Sequence, residues 1–325
     1  MTAALDLAQA LRAGDRRALA KAITLVESSR PEERDVAEQL LAAVARPTVH
    51  SFRVGVTGVP GAGKSTLIDV LGCHALAAGS RVAVLAVDPS SRQSGGSVLG
   101  DKTRMTRLAA EPGAFIRPSP TLGVLGGTAA RTQEVIVLCE AAGYDLVFVE
   151  TVGVGQSEER VANMVDCVLL LLLSGAGDEV SSMKRGLLEA ADLIAFNKAD
   201  GERAPAAHAD AASLRASLSI SRAGQVPAVL VLSALTDNGV DQLLAALTSY
   251  GAASRKDGSF ELRRSAQRRA WFDSALEEGL RELFTRHPDF ALARSAAADS
   301  VANGAISASE AARRLIAKLL PAVRG

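Results

Sequence analysis

Apolar residues in the first 46 positions recur three and four residues apart: Leu7 and Leu11, then Leu19, Ile23 and Val26. That spacing gathers them on one face of successive helices, so residues 4 to about 46 are predicted to be helical. At Ser51 the pattern changes. Short apolar runs at 52–57, 81–88, 144–151, 165–173, 193–197 and 226–232 alternate with longer stretches of helical period. Runs without polar alternation suit strands covered on both faces, and strands separated by helices imply right-handed βαβ crossovers. The predicted fold class is α/β, a mostly parallel β-sheet flanked by helices. After Asp257 the strand signals stop. Residues 260–286 read as one long helix carrying Trp271, Phe272, Leu276, Leu280, Leu283 and Phe284, and two more helices follow, the last over about 309–320. The predicted organisation is an N-terminal helical extension (1–50), a nucleotide-binding domain (51–256) and a C-terminal helical arm (257–325).

Composition narrows the class. A chain of 325 residues with 48 % hydrophobic and 22 % charged side chains has material for a core and a hydrated surface, and fits one large domain with appendages. Lys plus Arg (36) balance Asp plus Glu (36) with no long basic block, which argues against nucleic acid as a partner. The longest apolar stretch, 167–173, is far below the ~20 residues of a membrane helix and reads as a buried strand, so no membrane partner is expected. Asp6, Arg12, Asp15, Arg16 and Arg17 interrupt every apolar run near the N-terminus, unlike a signal peptide, and the expected location is cytoplasmic. Cys73, Cys139 and Cys167 are odd in number, widely spaced and set in apolar contexts, as core thiols are. His50, His74, His208 and His287 form no pair at metal-ligand spacing, so each reads as a structural or surface histidine.

The chemistry is concentrated in two motifs. Gly58, Val59, Pro60, Gly61, Ala62, Gly63, Lys64, Ser65 and Thr66 fit G-x-x-x-x-G-K-[ST], after a strand and before the helical run 67–78. Glycines let such a loop aim successive N–H groups at a β-phosphate, and the helix N-terminus adds a favourable dipole. Lys64 would bridge β- and γ-phosphates, and the Ser65 hydroxyl would ligate Mg²⁺. The second motif, Asn197, Lys198, Ala199 and Asp200, follows an apolar run and sits where parallel sheets bind ligands. The Asp200 carboxylate can accept from guanine N1–H and the 2-amino group together. Adenine offers no such donor pair and would leave a buried charge unsatisfied, so GTP and GDP are the expected nucleotides. Asn197 is expected to fix the loop and face the base, with the Lys198 stem over the ring. Ser233, Ala234 and Leu235 have the look of a last guanine loop, with Thr236, Asp237 and Asn238 along the same edge.

Three carboxylates compete for the metal and its water: Glu150 and Asp88 at predicted strand ends, and Asp101 in the Gly-rich loop beyond. A helix cap or turn role is the alternative for each. Gly153, in Glu150-Thr151-Val152-Gly153, is placed to offer its N–H to a γ-phosphate and to switch when that phosphate leaves. Small G proteins usually have Asp where this chain has Glu150, with a water-orienting Gln soon after. Here Gln156 is a loose candidate, and weak hydrolysis is expected unless a partner completes the site.

Taken as a set, the motifs at 87–91, 94–96, 99–105 and 150–158, with Asn197-Lys198-Ala199-Asp200, resemble the MeaB/ArgK family. Its members are GTPase chaperones of the coenzyme-B12-dependent methylmalonyl-CoA mutase. The resemblance spans the chain. It implies a P-loop GTPase that gates adenosylcobalamin delivery to the mutase and protects the loaded enzyme. It also implies a homodimer joined by the C-terminal arm, and a metal site served by Asp88, Asp101 and Glu150. A loop at 174–184, with Asp178 and Lys184, would move with the nucleotide and touch the partner. Rival readings are a metallochaperone-type GTPase for another metalloenzyme, which would need Cys or His clusters not found here, and a protein kinase, against which the guanine motif argues.

Overall fold

The strands are short, almost wholly apolar and parallel, as burial on both faces demands. In the computed structural model, which describes residues 2–28, 30–44, 51–87, 105–119, 128–151, 161–175, 185–221, 226–285 and 289–319, they form one seven-stranded sheet. The strands are β1 (Phe52–Gly58), β2 (Val82–Val87), β3 (Ala114–Ser119), β4 (Leu146–Thr151), β5 (Cys167–Leu173), β6 (Leu193–Asn197) and β7 (Ala228–Val231). Their order is β3-β2-β4-β1-β5-β6-β7, and each pairing is parallel. β1 therefore lies in the middle, with the end of β4 on one side (Val56 beside Glu150) and β5 on the other (Gly58 beside Leu171).

Successive strand residues point to opposite faces, and both faces are apolar. Ala83, Leu85, Val147 and Val149 join a core with helices α1 (Thr2–Arg12), α2 (Arg16–Glu27), α3 (Pro31–Val44) and α6 (Thr128–Ala141). Val82, Val84, Val54, Val56 and Phe148 join another with α4 (Lys64–Ala77), α5 (Thr106–Ala110) and α9 (Val240–Lys256). A third cluster joins β5, β6 and β7 to α7 (Arg185–Ala190) and α8 (Ala204–Ser221). The N-terminal helices are thus part of the sheet's own core. Leu11, Leu19, Ile23 and Val26 are buried as their spacing predicts.

Strand β3 was not among the predicted strands. It is short, carries Arg117 and Pro118, and lies at a sheet edge, the position where proline's missing N–H is tolerated. Arg117 meets Glu27 of α2 at 2.6 Å, fixing that edge to the N-terminal helices. Cys139 and Cys167 are buried, free thiols whose pKa values burial pushes up.

The chain divides into two compact units, residues 1–267 and 268–325. Helix α10 (Ser259–Thr285) runs through the division. In the second unit it is followed by α11 (Phe290–Ala302) and α12 (Ala308–Leu319), which pack on one another. Along α10 the side chains of Phe272, Leu276, Leu280 and Leu283 are exposed, 48 to 66 %. Among the described residues no helix is long and apolar enough to cross a membrane.

The first two turns of α10 belong to the first unit and lie at the amino edge of the sheet. Arg264 grips Asp166 in a two-pronged pair (2.8 and 2.7 Å), and Asp166 also accepts from the backbone N–H of Arg53 at 2.8 Å. The Arg53 guanidinium grips Glu140 of α6 at 2.7 and 2.9 Å, and the Ser51 hydroxyl donates to the same carboxylate. All four charged residues are at most 8 % exposed. Arg263 pairs with Asp192 at 2.8 Å through both prongs, and Tyr250 donates to Asp192 at 2.7 Å. The Phe260 ring lies beneath two guanidinium groups, those of Arg255 and Arg264, at 4.5 and 4.6 Å.

Removing one member of such a network strands its partners' charges. Arg264→Ala is expected to lower unfolding stability by about 3–5 kcal/mol, read as a lower urea midpoint. Burial alone would raise the Glu140 pKa, but hydrogen bonding and charge from Arg53, with Arg264 and Ser51, hold it below the usual carboxylate range. A depressed folded-state pKa gives stability that is present above the unfolded value, about 4.3, and is lost as pH falls through the folded one. The urea midpoint should therefore decline below about pH 4 through this group.

Candidate functional site

The loop between β1 and α4 takes its shape from two glycines. Gly58 ends β1 at φ +145°, where a Cβ would lie 2.2 Å from the carbonyl oxygen of Leu171 on β5. Gly63 caps α4 at φ +86° and brings no side chain to the helix N-terminus. A Cβ there would come within 2.7 Å of the Asn197 amide nitrogen. The loop thus presses against β5 and the end of β6, and the first turn of α4 is left to an external anion. Ala62 is buried, while Pro60, Gly61 and Thr66 are exposed and Val59 is half-buried.

Lys64, the first residue of α4, is 7 % exposed, and its ammonium donates to the carbonyls of Gly58 (2.9 Å) and Val59 (3.2 Å), which holds the charge across the mouth of the loop. The Ser65 hydroxyl donates to Glu150 Oε1 at 2.7 Å. Glu150 is 5 % exposed at the end of β4, and the register sets it beside β1, so two residues 85 positions apart meet at the phosphate end of the loop. Behind them Thr151 donates to Thr57 Oγ1 at 3.2 Å.

At the base-recognition end, Asn197 is 2 % exposed and ties two loops together. Its amide nitrogen donates to the Ala62 carbonyl at 2.8 Å and its amide oxygen accepts from the Ala234 N–H at 3.0 Å. The side chain thus ties the two loops together, with one N–H and one lone pair of the amide left over. Asp200 Oδ1 accepts from the Ser233 hydroxyl at 2.7 Å, a contact the sequence motifs did not show. Lys198 holds φ +60°, a left-handed turn between the two motif residues. Ser233 and Asn238 exchange backbone hydrogen bonds (2.9 and 3.1 Å), closing the loop in which Leu235 and Thr236 are exposed. Asp237 lies 2.8 Å from the His74 Nε2. Asp88, Asp101, Gly153, Gln156, Asp178 and Lys184 lie outside the described residues.

The glycine loop after β1, the buried Lys64, and the loops bearing Asn197 and Ser233 thus converge at the carboxyl edge of the sheet. Residues 19–289 match the family described as "Methylmalonyl Co-A mutase-associated GTPase MeaB". The chain belongs to the MeaB family. Escherichia coli "GTPase ArgK" is 45 % identical over 86 % of this chain and 86 % of its own. The mouse protein named "Methylmalonic aciduria type A homolog, mitochondrial" is 41 % identical over 93 % of this chain and 76 % of its own. A solved structure titled "Crystal structure of LAO/AO transport system kinase" superposes with TM-score 0.75 at 35 % identity, covering 98 % of both chains. This MeaB-family chain is a GTPase, and its bound species are GTP and GDP.

Asn197→Ala breaks both ties at once and is expected to weaken GDP binding by tenfold or more, measured by calorimetry, because each lost hydrogen bond leaves a buried group unpaired. Asp200→Asn is expected to weaken guanine and admit xanthine nucleotides, whose 2-oxo group suits an amide donor. Equal GDP and XDP affinities before and after that change would remove Asp200 from base recognition.

Proposed function

We propose that this GTPase is a cytoplasmic homodimer that binds Mg²⁺ with GTP and serves as a chaperone of a cobalamin-dependent methylmalonyl-CoA mutase. In this reading it gates adenosylcobalamin delivery and protects the loaded enzyme. The observation that carries it is the Ser65–Glu150 contact at the end of the phosphate loop, in a chain whose family and mouse relative bear names tied to methylmalonyl-CoA metabolism.

Hydroxyl and carboxylate oxygens suit a hard cation, so Ser65 and Glu150 fit Mg²⁺ as direct or water-bridged ligands. Asp88 and Asp101 remain candidates beside them. Mg²⁺, when bound, would neutralise charge on the β- and γ-oxygens. Lys64 supplies positive charge from the protein side, and the uncapped first turn of α4 offers N–H groups to the β-phosphate. Lys64→Ala should therefore abolish most hydrolysis while leaving the circular dichroism spectrum intact. Asn197 and Asp200 hold the base, and orienting the attacking water falls to Gln156 or to a partner.

If Gly153 senses the γ-phosphate and the 174–184 loop with Asp178 and Lys184 follows it, a mutase that prefers one nucleotide state must shift nucleotide affinity by the same factor. Phosphate release measured with and without purified mutase should rise tenfold or more with it. Lys184→Ala should blunt that rise and spare basal turnover. Unchanged wild-type turnover would reject the mutase reading and leave the GTPase untouched. The homodimer draws on the exposed stripe of α10, whose spacing of four, four and three residues makes one continuous apolar face. Leu276→Glu with Leu280→Glu should convert a dimer to a monomer in light scattering.

A further inference from the structure

We propose that His74 is a positioning residue for guanine recognition, acting through Asp237, and that its imidazolium form tightens guanine-nucleotide binding. This rests on the nucleotide site described above and adds a residue outside its motifs. His74 lies in the last turn of α4, the helix that begins with Lys64. Its Nε2 stands 2.8 and 3.0 Å from the two oxygens of Asp237, a residue 163 positions away in the loop that follows β7.

That loop is pinned on its inner side. Ser233 and Asn238 exchange backbone bonds, Ala234 donates to Asn197, and Ser233 donates to Asp200. On its outer side His74 supplies the tie. Asp237 sits at φ +60°, a left-handed conformation that Asp and Asn tolerate better than most residues. Holding that residue fixes the turn immediately before Asn238, and so the strand-like closure that presents Ser233 to Asp200. One imidazole thereby links the phosphate-binding helix to the base-binding carboxylate through Asp237, Asn238 and Ser233.

The end of α4 carries the negative end of the helix dipole. Around the neighbouring Cys73 lie the charges of Asp69, whose carboxylate accepts from the Leu108 N–H at 2.8 Å, of Glu111 beyond α5 and of Arg107 on α5. The Cys73 thiol next to His74 is pushed up by burial and by the charges of Asp69, Glu111 and Asp237. Helix α9, also packed on α4, has Asp241 in its first turn, while Arg255 and Lys256 are in its last. A neutral ring with its proton on Nε2 still donates to Asp237, so protonation adds charge to an existing bond. With side-chain exposures of 32 and 46 %, the added charge is screened, and a two- to fivefold effect is expected.

The test is GDP affinity by calorimetry from pH 5.5 to 8.5, with Mg²⁺ and constant ionic strength, on the full chain. Each variant is read as its Kd divided by the wild-type Kd, which cancels titration of the nucleotide's own phosphate. His74→Gln keeps a neutral donor, and its ratio should climb from about one at pH 8.5 to about two to five at pH 5.5. His74→Lys keeps the charge at every pH, and its ratio should fall below one at pH 8.5 and return to about one at pH 5.5. Asp237→Asn, which suits the same backbone conformation, should follow His74→Gln. Ratios that stay flat with pH for His74→Gln and Asp237→Asn, in variants whose thermal unfolding matches wild type, would overturn the proposal. Equal affinity of the wild type for GDP and ADP would instead strike at the guanine site itself.

Discussion

A single buried amide ties the loop after β1 to the loop after β7. Asn197 donates one N–H to the Ala62 carbonyl of the first loop and accepts at its amide oxygen from the Ala234 N–H of the second. Both partners are backbone groups in irregular segments, where no helix or strand ladder would otherwise satisfy them. The amide therefore gives stability and geometry together. Because Gly63 has no Cβ, the loop can come close enough for that bond, and the same absence leaves the α4 N-terminus open to phosphate. The requirement for glycine at this position comes from the neighbouring Asn197 as much as from the ligand.

Both nucleotide motifs were legible in the sequence because each is local. One motif fills the eight positions 58–65 and the other the four positions 197–200, and the apolar runs before them said which strand ends they occupy. The parallel sheet was legible for the same reason, since strands buried on both faces lose polar alternation. Strand β3 was not, because an edge strand is free to carry Arg117 and Pro118 and so lacks the apolar signature. Contacts between distant segments were equally invisible. Ser65 and Glu150 were each singled out, yet only the register of β1 against β4 puts them 2.7 Å apart. His74 looked like a solitary histidine because its partner lies 163 residues away, with no periodicity joining them.

The buried charges at the amino edge were hidden in another way. An arginine inside the apolar run of β1 is a visible anomaly, and Arg53 is such a residue, but its partner Glu140 is 87 positions distant and lies on a helix. Their burial is explained by what they join. Glu140 belongs to α6, Arg53 to β1, Asp166 to the turn before β5 and Arg264 to α10, so one network fastens a helix from each side of the chain's middle to the two central strands. Desolvating those charges is costly, and two-pronged geometry with further N–H and hydroxyl donors offsets it. Apolar side chains could pack there with similar stability, but they would not fix the rotation of α10 about its axis as paired guanidiniums do.

Helix α10 spans 27 residues in all, and its exposed stripe lies in the second unit. Gln267 adds a bond from its amide nitrogen to the Val165 carbonyl at 2.8 Å, one residue before Asp166. The sheet thus has a division of labour between its two edges. At the carboxyl edge, backbone N–H groups are kept available for an anion, which requires glycines and tolerates strain. At the amino edge, ionic pairs with fixed directions join Arg53, Glu140, Asp166 and Arg264. β1 and β5 belong to both edges, running from the charges at Arg53 and Asp166 to the close approach of Gly58 and Leu171. A loosening of the amino edge would therefore reach the phosphate loop through two strands that have few other freedoms in a packed core.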